Sequence, residues 1–299
     1  MKNQLYHNGE LKAQELAGET SFAIKASKVL VDHIIPGAVN FIQNLPYLVA
    51  SSIDVNGNVW ASLITGNDCM SAVIDEKTLI LNRNFITSNP IDPLWTNLER
   101  SDTIGLLFIE LSTRRRYRIN GTAAFKEKLL SIRVDTAYPN CPKYIQARRY
   151  LKVSATKYLM EPTNGDILNQ ELIDLIKKSD TFFVGSSDDN SNLDVSHRGG
   201  VPGFINVINE STIEIPDYEG NSMYNTLGNF LVNPNAGLLF IDFEGHKTLQ
   251  MTGLSEINWD IKAEGTVRAW KFSIKNWLLI ENAKDFEWQF MNFSPFNPQ

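Results

Sequence analysis

The segment Ser196-His-Arg-Gly-Gly-Val-Pro-Gly-Phe204 sets a hydroxyl, an imidazole and a guanidinium directly before two glycines. At a strand edge such a run suits an anion. Glycine lets backbone N–H groups approach a ligand closely, and Arg198 supplies a forked donor. A second loop, Pro216-Asp-Tyr-Glu-Gly-Asn-Ser222, precedes apolar residues at helical spacing, Met223, Leu227, Phe230 and Leu231,. Asn221 or Ser222 can cap that helix and leave N–H groups at its positive end for a phosphate. The plainer alternative gives Gly199, Gly200 and Gly220 to turns and Ser222 to the cap alone.

Two further runs carry chemistry. On a strand, Arg114, Arg116 and Arg118 of Arg114-Arg-Arg-Tyr-Arg118 share one face,. They read either as a solvated edge that discourages sheet pairing or as a source of one arginine for a phosphate or a neighbouring barrel. Asn140-Cys-Pro-Lys-Tyr144 offers a cysteine flanked by proline and lysine, a weak redox candidate whose alternative is burial as a small hydrophobe,. Dinucleotide, P-loop, zincin and serine-hydrolase signatures are all missing from the sequence,. The four histidines (His7, His33, His197, His246) are too dispersed to suggest a metal site, and Cys69 and Cys141 form no paired motif,.

The elements that must position these residues come as a repeat. Val49, Ser51, Ser52 and Asp54 match Val184, Ser186, Ser187 and Asp189 at an offset of 135 residues. After a slip of one, Ser62, Gly66, Val73, Ile74, Glu76 and Thr78 match Ser196, Gly200, Val207, Ile208, Glu210 and Thr212. After two more, Gly105-Leu-Leu-Phe-Ile109 matches Gly237-Leu-Leu-Phe-Ile241, and Gly121 matches Gly253. Two homologous domains therefore stand in tandem, joined near residues 150–170. Strands are expected at 46–52, 78–81, 104–109 and 117–120, and again at 181–187, 212–215, 236–241 and 248–252. Helices are expected at 27–44, at 168–178 and from Met223 to the stop at Asn233-Pro234. Small antiparallel sheets with one or two helices close into barrels, so the fold class is mainly β with capping helices, two barrels of about six strands.

Composition fits that reading. The 299 residues carry 28 Lys and Arg against 34 Asp and Glu, a net charge of −6, with 43% hydrophobic residues. This excludes disorder, and a pI near 5.3 argues against nucleic acid as a partner,. The absence of a long apolar stretch argues against a membrane span or a signal segment, and two cysteines fit a reducing compartment, so the chain is expected to be cytoplasmic,.

These motifs resemble the pyridoxamine 5′-phosphate oxidase-like family of FMN-binding split barrels, in its longer form with two barrels per chain. The resemblance rests on Tyr6-His-Asn-Gly-Glu10 with Gln14, Thr113-Arg-Arg-Arg with Arg118-Ile-Asn-Gly121, and Asn140-Cys-Pro-Lys-Tyr144. In the second copy it rests on Ser196-x-Arg-Gly-Gly-x-Pro-Gly-Phe204, Pro216-Asp-Tyr-x-Gly-Asn221, Leu227-Gly-Asn229 and Asn233-Pro234, and at the close on Ser294-Pro-Phe-Asn-Pro298. It implies two tandem split barrels, residues 1–155 and 156–299, forming an internal pseudo-dimer that can also pair with a second chain. FMN is the implied cofactor, held in a cleft between barrels. The implied cradle falls on Ser196, His197, Arg198, Gly199, Pro216, Asp217, Asn221 and Ser222, and Lys143 and Tyr144 are expected to line the far wall. Where the oxidase carries a Ser-Arg-Lys type clamp this chain has Gly220-Asn221-Ser222, with Arg198 as the compensating cation. Each copy keeps one side of the cleft, which gives one site per chain. The implied activity is that of an FMN-dependent oxidoreductase for a small organic substrate, with NADH or NADPH as donor. The alternatives are a non-catalytic flavin or haem carrier, with His197 or His246 as axial ligand, and a cofactor-free scaffold.

Overall fold

The repeat seen in the sequence becomes two antiparallel sheets with matching strand order. The computed structural model describes residues 5–67, 69–156, 161–260, 268–281 and 284–298. Three helices lead, α1 (Asn8–Leu16), α2 (Thr20–Ala26) and α3 (Pro36–Asn44). The first sheet is built from β1 (Tyr47–Ile53), β2 (Val59–Thr65), β3 (Ser71–Asp75), β4 (Thr78–Asn82), β5 (Thr103–Glu110), β6 (Arg115–Lys126) and β7 (Leu129–Asn140), with α4 (Pro93–Leu98) inserted after β4. A connecting stretch follows, with β8 (Ala147–Thr156), β9 (Thr163–Gly165) and α5 (Gln170–Lys178). The second sheet is built from β10 (Thr181–Ser187), β11 (Leu193–Gly199), β12 (Asn206–Asn209), β13 (Thr212–Asp217), β14 (Asn235–Asp242), β15 (Lys247–Asn258) and β16 (Arg268–Glu281), with α6 (Asn225–Val232) after β13. The last strand, β17 (Lys284–Asn292), pairs with β8.

The order β2-β1-β5-β6-β7-β4-β3 in the first sheet is reproduced strand for strand by β11-β10-β14-β15-β16-β13-β12 in the second, where β9 also pairs with β16. Each sheet curls around its own apolar core, Leu48, Ile64, Leu106 and Phe108 in one and Phe182, Leu238, Phe240 and Trp270 in the other. The long strands bend at matching bulges, beside Gly121 in β6 and Gly253 in β15. Glycine is required at both. A Cβ there would come within 2.0 Å of the Arg133 carbonyl oxygen and 2.1 Å of the Ser273 carbonyl oxygen,. A third cluster, including Val49, Leu107, Ile145, Phe183, Val195 and Leu239, joins the two barrels face to face.

Three expectations need correction. The helix expected over 27–44 is divided: a 3₁₀ turn at Ser27–Val29, a bridge from Val31 to Ala137, then α3 opening on Pro36. Proline favours a helix start, not its interior. The repeat is also one residue out of register at its beginning. The hairpin turn of Asp54, whose Oδ1 accepts from the N–H groups of Asn56 and Asn58, is matched by that of Asp188, whose Oδ1 accepts from Asn190 and Asn192. The pairings Ala50–Leu106 and Val184–Leu238 fix the same register, so Asp54 corresponds to Asp188 and Ser52 to Ser186. A slip of one turns every strand side chain to the other face. Finally, α6 begins at Asn225, two residues beyond Met223. The expected junction at 150–170 includes positions 157–160, which lie outside the described residues. No helix among the described residues is long and apolar enough to cross a membrane.

Candidate functional site

A cleft of about 840 Å³, its open mouth included, lies between the barrels. All ten residues singled out from the sequence line it. The second barrel supplies Ser196, His197, Arg198 and Gly199 from β11, Pro216 and Asp217 from the end of β13, and Asn221 and Ser222 from the loop before α6. Lys143 and Tyr144 face them from the loop after β7 of the first barrel. Arg116 and Arg118 on β6, Arg268 on β16, Tyr218, Tyr224 and the first turn of α6 also line the space.

Charge is the dominant feature. Five cationic side chains, Arg116, Arg118, Lys143, Arg198 and Arg268, line the cleft with one carboxylate, Asp217. Asp217 takes Arg268 Nε at 2.8 Å and lies 3.7 Å from Arg198 Nη2. Arg118 crosses from the first barrel to donate to Asp194 Oδ2 at 2.9 Å and Ser196 Oγ at 2.8 Å. Burial would lower the Arg118 guanidinium, but Asp194 and Tyr138 outweigh it and raise it. Arg116 meets a backbone carbonyl, that of Cys141, through Nε at 2.9 Å. Burial first, with the charges of Arg118 and Arg198, pushes it down to about 10. The cleft is thus poor in negative charge, an arrangement that a bound anion relieves.

His197 is buried, and neither ring nitrogen meets a hydrogen-bond partner among the described residues. Burial, then Arg116, Arg198 and Arg148, holds it well below the usual histidine range, so it is a neutral imidazole at neutral pH. Arg198 Nε and Arg118 Nε are likewise buried without partners among the described residues.

The glycines work differently from the sequence expectation. A Cβ on Gly199 would lie 2.1 Å from the Tyr144 carbonyl oxygen, and one on Gly200 would enter the Phe204 ring. The Gly200 N–H is taken by the Asp180 carbonyl at 3.1 Å. Gly199 therefore lets the two walls approach each other. The capping expectation also changes. Asn221 Oδ1 accepts from the Met223 N–H at 3.1 Å, within the loop, and α6 starts after Tyr224 with no side-chain cap. Tyr144, Ser222 and Tyr224 all hold left-handed backbone, φ 63°, 60° and 61°. Such conformations cost energy in a non-glycine residue and concentrate where function requires them.

The corresponding place in the first barrel is filled. Gln250 stands where the other half has Arg118, and Asp92 where it has Tyr224. Asp92 Oδ1 caps α4 by accepting from the Leu94 N–H at 2.9 Å and takes the Ser62 hydroxyl at 2.6 Å, while Oδ2 accepts from Gln250 Nε2 at 2.7 Å. A carboxylate of the chain itself occupies the helix end that is left uncapped in the second barrel.

The arginine run divides by position. The strand is no edge, since β6 pairs with β5 on one side and β7 on the other, so the solvated-edge reading fails. Arg115 is exposed, Arg116 and Arg118 reach into the cleft, and Arg114 donates through Nε to the Ile145 carbonyl at 2.9 Å. The cysteine expectation resolves as partial burial: Cys141 lines the cleft with Sγ 3.6 Å from Arg116 Nη2. His246 does not line the cleft. Sequence reasoning missed Arg268, Tyr218 and Tyr224 as cleft residues.

No family model matches the chain, and no curated protein sequence matches it. Solved structures do. A candidate pyridoxamine 5′-phosphate oxidase of Lactobacillus delbrueckii is 16% identical over 40% of this chain and 98% of its own, with a TM-score of 0.33. An FMN-binding protein of Syntrophomonas wolfei is 14% identical over 36% of this chain and 89% of its own, TM-score 0.25. The haem storage protein HutZ of Vibrio cholerae is 13% identical over 36% and 89%, TM-score 0.26. These three solved structures are pyridoxamine 5′-phosphate oxidase-like, FMN-binding and haem-storage proteins, each matched over about two-fifths of this chain.

Proposed function

We propose that the cleft binds one FMN per chain and that the protein is an FMN-dependent oxidoreductase for a small organic substrate, with NADH or NADPH as electron donor. The observation that carries the reading is the cleft itself: five cations facing one carboxylate, beside an uncapped helix start, with tyrosines on both walls. Those residues fit a phosphate ester attached to a planar ring system. Arg198, Arg268 and the first turn of α6 would hold the phosphate, helped by the hydroxyls of Ser196 and Thr226, which hydrogen-bond each other at 2.9 Å,. Lys143 and Tyr144 would face the ring system from the first barrel. When bound, the flavin supplies the electron chemistry, and the protein supplies orientation, charge and exclusion of water. In this reading the chain divides at residue 155, and the second domain carries the cradle.

Arg198→Ala tests the phosphate assignment. It should weaken FMN binding by roughly 10- to 100-fold, the loss expected for a charged hydrogen-bond donor. Fluorescence titration of FMN reads the change, and unchanged affinity refutes the assignment. A haem-binding reading has one residue in its favour, the neutral His197 in the cleft wall. It requires a Soret band on haem addition that His197→Ala abolishes.

A further inference from the structure

Helix α1 reaches the uncapped end of α6 from behind the cleft. The two helices touch at glycines: a Cβ on Gly9 would lie 2.1 Å from the Gly228 carbonyl oxygen, and one on Gly228 would lie 2.6 Å from Glu10 Cα. That approach brings Glu10, only 7% exposed, against the first residue of α6. Glu10 Oε1 accepts from Asn225 Nδ2 at 2.5 Å, and Oε2 accepts from the His7 N–H at 3.0 Å. Asn225 in turn lines the cleft, and its Oδ1 accepts from Arg118 Nη1 at 3.4 Å. Two hydrogen bonds thus connect a buried carboxyl group to a cation of the anion-poor cleft.

We propose that Glu10 is a positioning residue that couples the cleft to protons: an anionic ligand entering beside Asn225 and Arg118 is accompanied by proton uptake at Glu10. This rests on the reading of the cleft as a phosphate site and adds a regulation to it. An incoming negative charge disfavours a second one close by, so it drives the carboxyl toward its neutral form. In the free protein, burial above all pushes Glu10 up to about 7, and Asp194 and Asp188 add to the rise against the hydrogen bonds from His7 and Asn225. Glu10 therefore holds a fractional charge at neutral pH. The groups around it are His7, the residue that caps α1, whose Nε2 lies 3.7 Å from Oε2 and meets Asn229 Oδ1 of α6 at 2.9 Å, Arg118 from β6, and Asp188 and Asp194 from the second barrel. The phenols of Tyr6 and Tyr138, also near Glu10, are both pushed up by burial, Tyr6 to about 12, and stay protonated throughout.

The test is calorimetric titration of FMN into the full chain at pH 7.5, in two buffers of different ionisation enthalpy. A phosphate monoester with its second pKa near ~6 is almost fully dianionic there, so the ligand contributes little proton exchange. The wild type should take up a measurable fraction of a proton per FMN, and Glu10→Gln close to none. The wild-type affinity should also fall by roughly threefold to tenfold from pH 6.5 to 8.5, with a flatter profile in Glu10→Gln. Circular dichroism melts check that the variant is folded; should it not fold, the wild-type proton count and pH profile decide alone. FMN binding without proton uptake overturns this inference and leaves the ligand reading standing. No FMN binding overturns both, and it is recognised separately because no binding heat appears.

Discussion

Asp92 illustrates how much one residue decides. Buried between the barrels, it is pushed up to about 6 by desolvation, against the hydrogen bonds of Ser62, the Leu94 N–H and Gln250. A carboxyl raised in the folded state favours folding in acid, and that contribution is lost as pH rises from about 4 through about 6,. At pH 7.5 the ionised group opposes folding by about 1–3 kcal/mol. Asp92→Asn should therefore melt higher than the wild type at pH 7.5 and at nearly the same temperature at pH 4. Asparagine keeps the cap, and Gln250 Oε1, buried without a partner among the described residues, can turn to accept from the new amide,. A variant that melts lower at pH 7.5 contradicts this account of the filled first cleft. The residues Ser196 to Gly199 were legible because hydroxyl, cation and glycine stand side by side in the sequence. Arg268 was not, since the partners that mark it, the carboxylate of Asp217 and the ring of Tyr224, are distant in the sequence, Asp217 by 51 residues.

Among the elements, β1, β4, β5, β6, β10, β13, β14 and β15 were legible, because β-branched and aromatic runs bounded by turns state a hairpin locally, whereas β2, β3, β7, β8, β9, β12, β16 and β17 were not expected,. Helix α1 was not. It buries Gly9, Glu10, Ala13 and Gln14, small and polar residues that make no apolar stripe,. Its docking depends instead on two glycines whose partners lie more than 200 residues apart. Gly9→Ala should force α1 off α6, at a cost of about 1–3 kcal/mol if the helix stays docked. Limited proteolysis should then cut within residues 5–30 while the barrels persist. Wild-type resistance at that segment would show that the contact is not needed to hold the helix. Gln146 holds the opposite side of the cleft. Its Nε2 donates to the carbonyls of Tyr144 and Gly200, both at 3.1 Å, and its Oε1 accepts from the Ser294 N–H at 2.7 Å. The closing Ser294-Pro-Phe-Asn-Pro298 segment thereby braces the wall that carries Tyr144.

For the molecule as a whole, duplication followed by divergence explains the asymmetry. Both halves keep the strand order, the bulge glycine and the helix asparagine that donates to a strand serine, Asn97 to Ser52 and Asn229 to Ser186, each at 2.9 Å. They differ where the walls meet. Arg118 in one half is Gln250 in the other, and an uncapped helix start is opposed by one closed with Asp92. The sequence made the repeat visible but misplaced its first strand by one residue, because the offset of 135 matches both serines of Ser51-Ser52 with Ser186-Ser187 whereas the true register sets Ser51 against Gly185, and only the strand pairing and the turn hydrogen bonds decide. The most direct measurement is the visible absorption spectrum of the full chain after saturation with FMN and desalting. The asymmetric cleft predicts a retained flavin band equivalent to one FMN per chain, whereas two equivalents, or none in a protein with a normal cooperative melt, would contradict it.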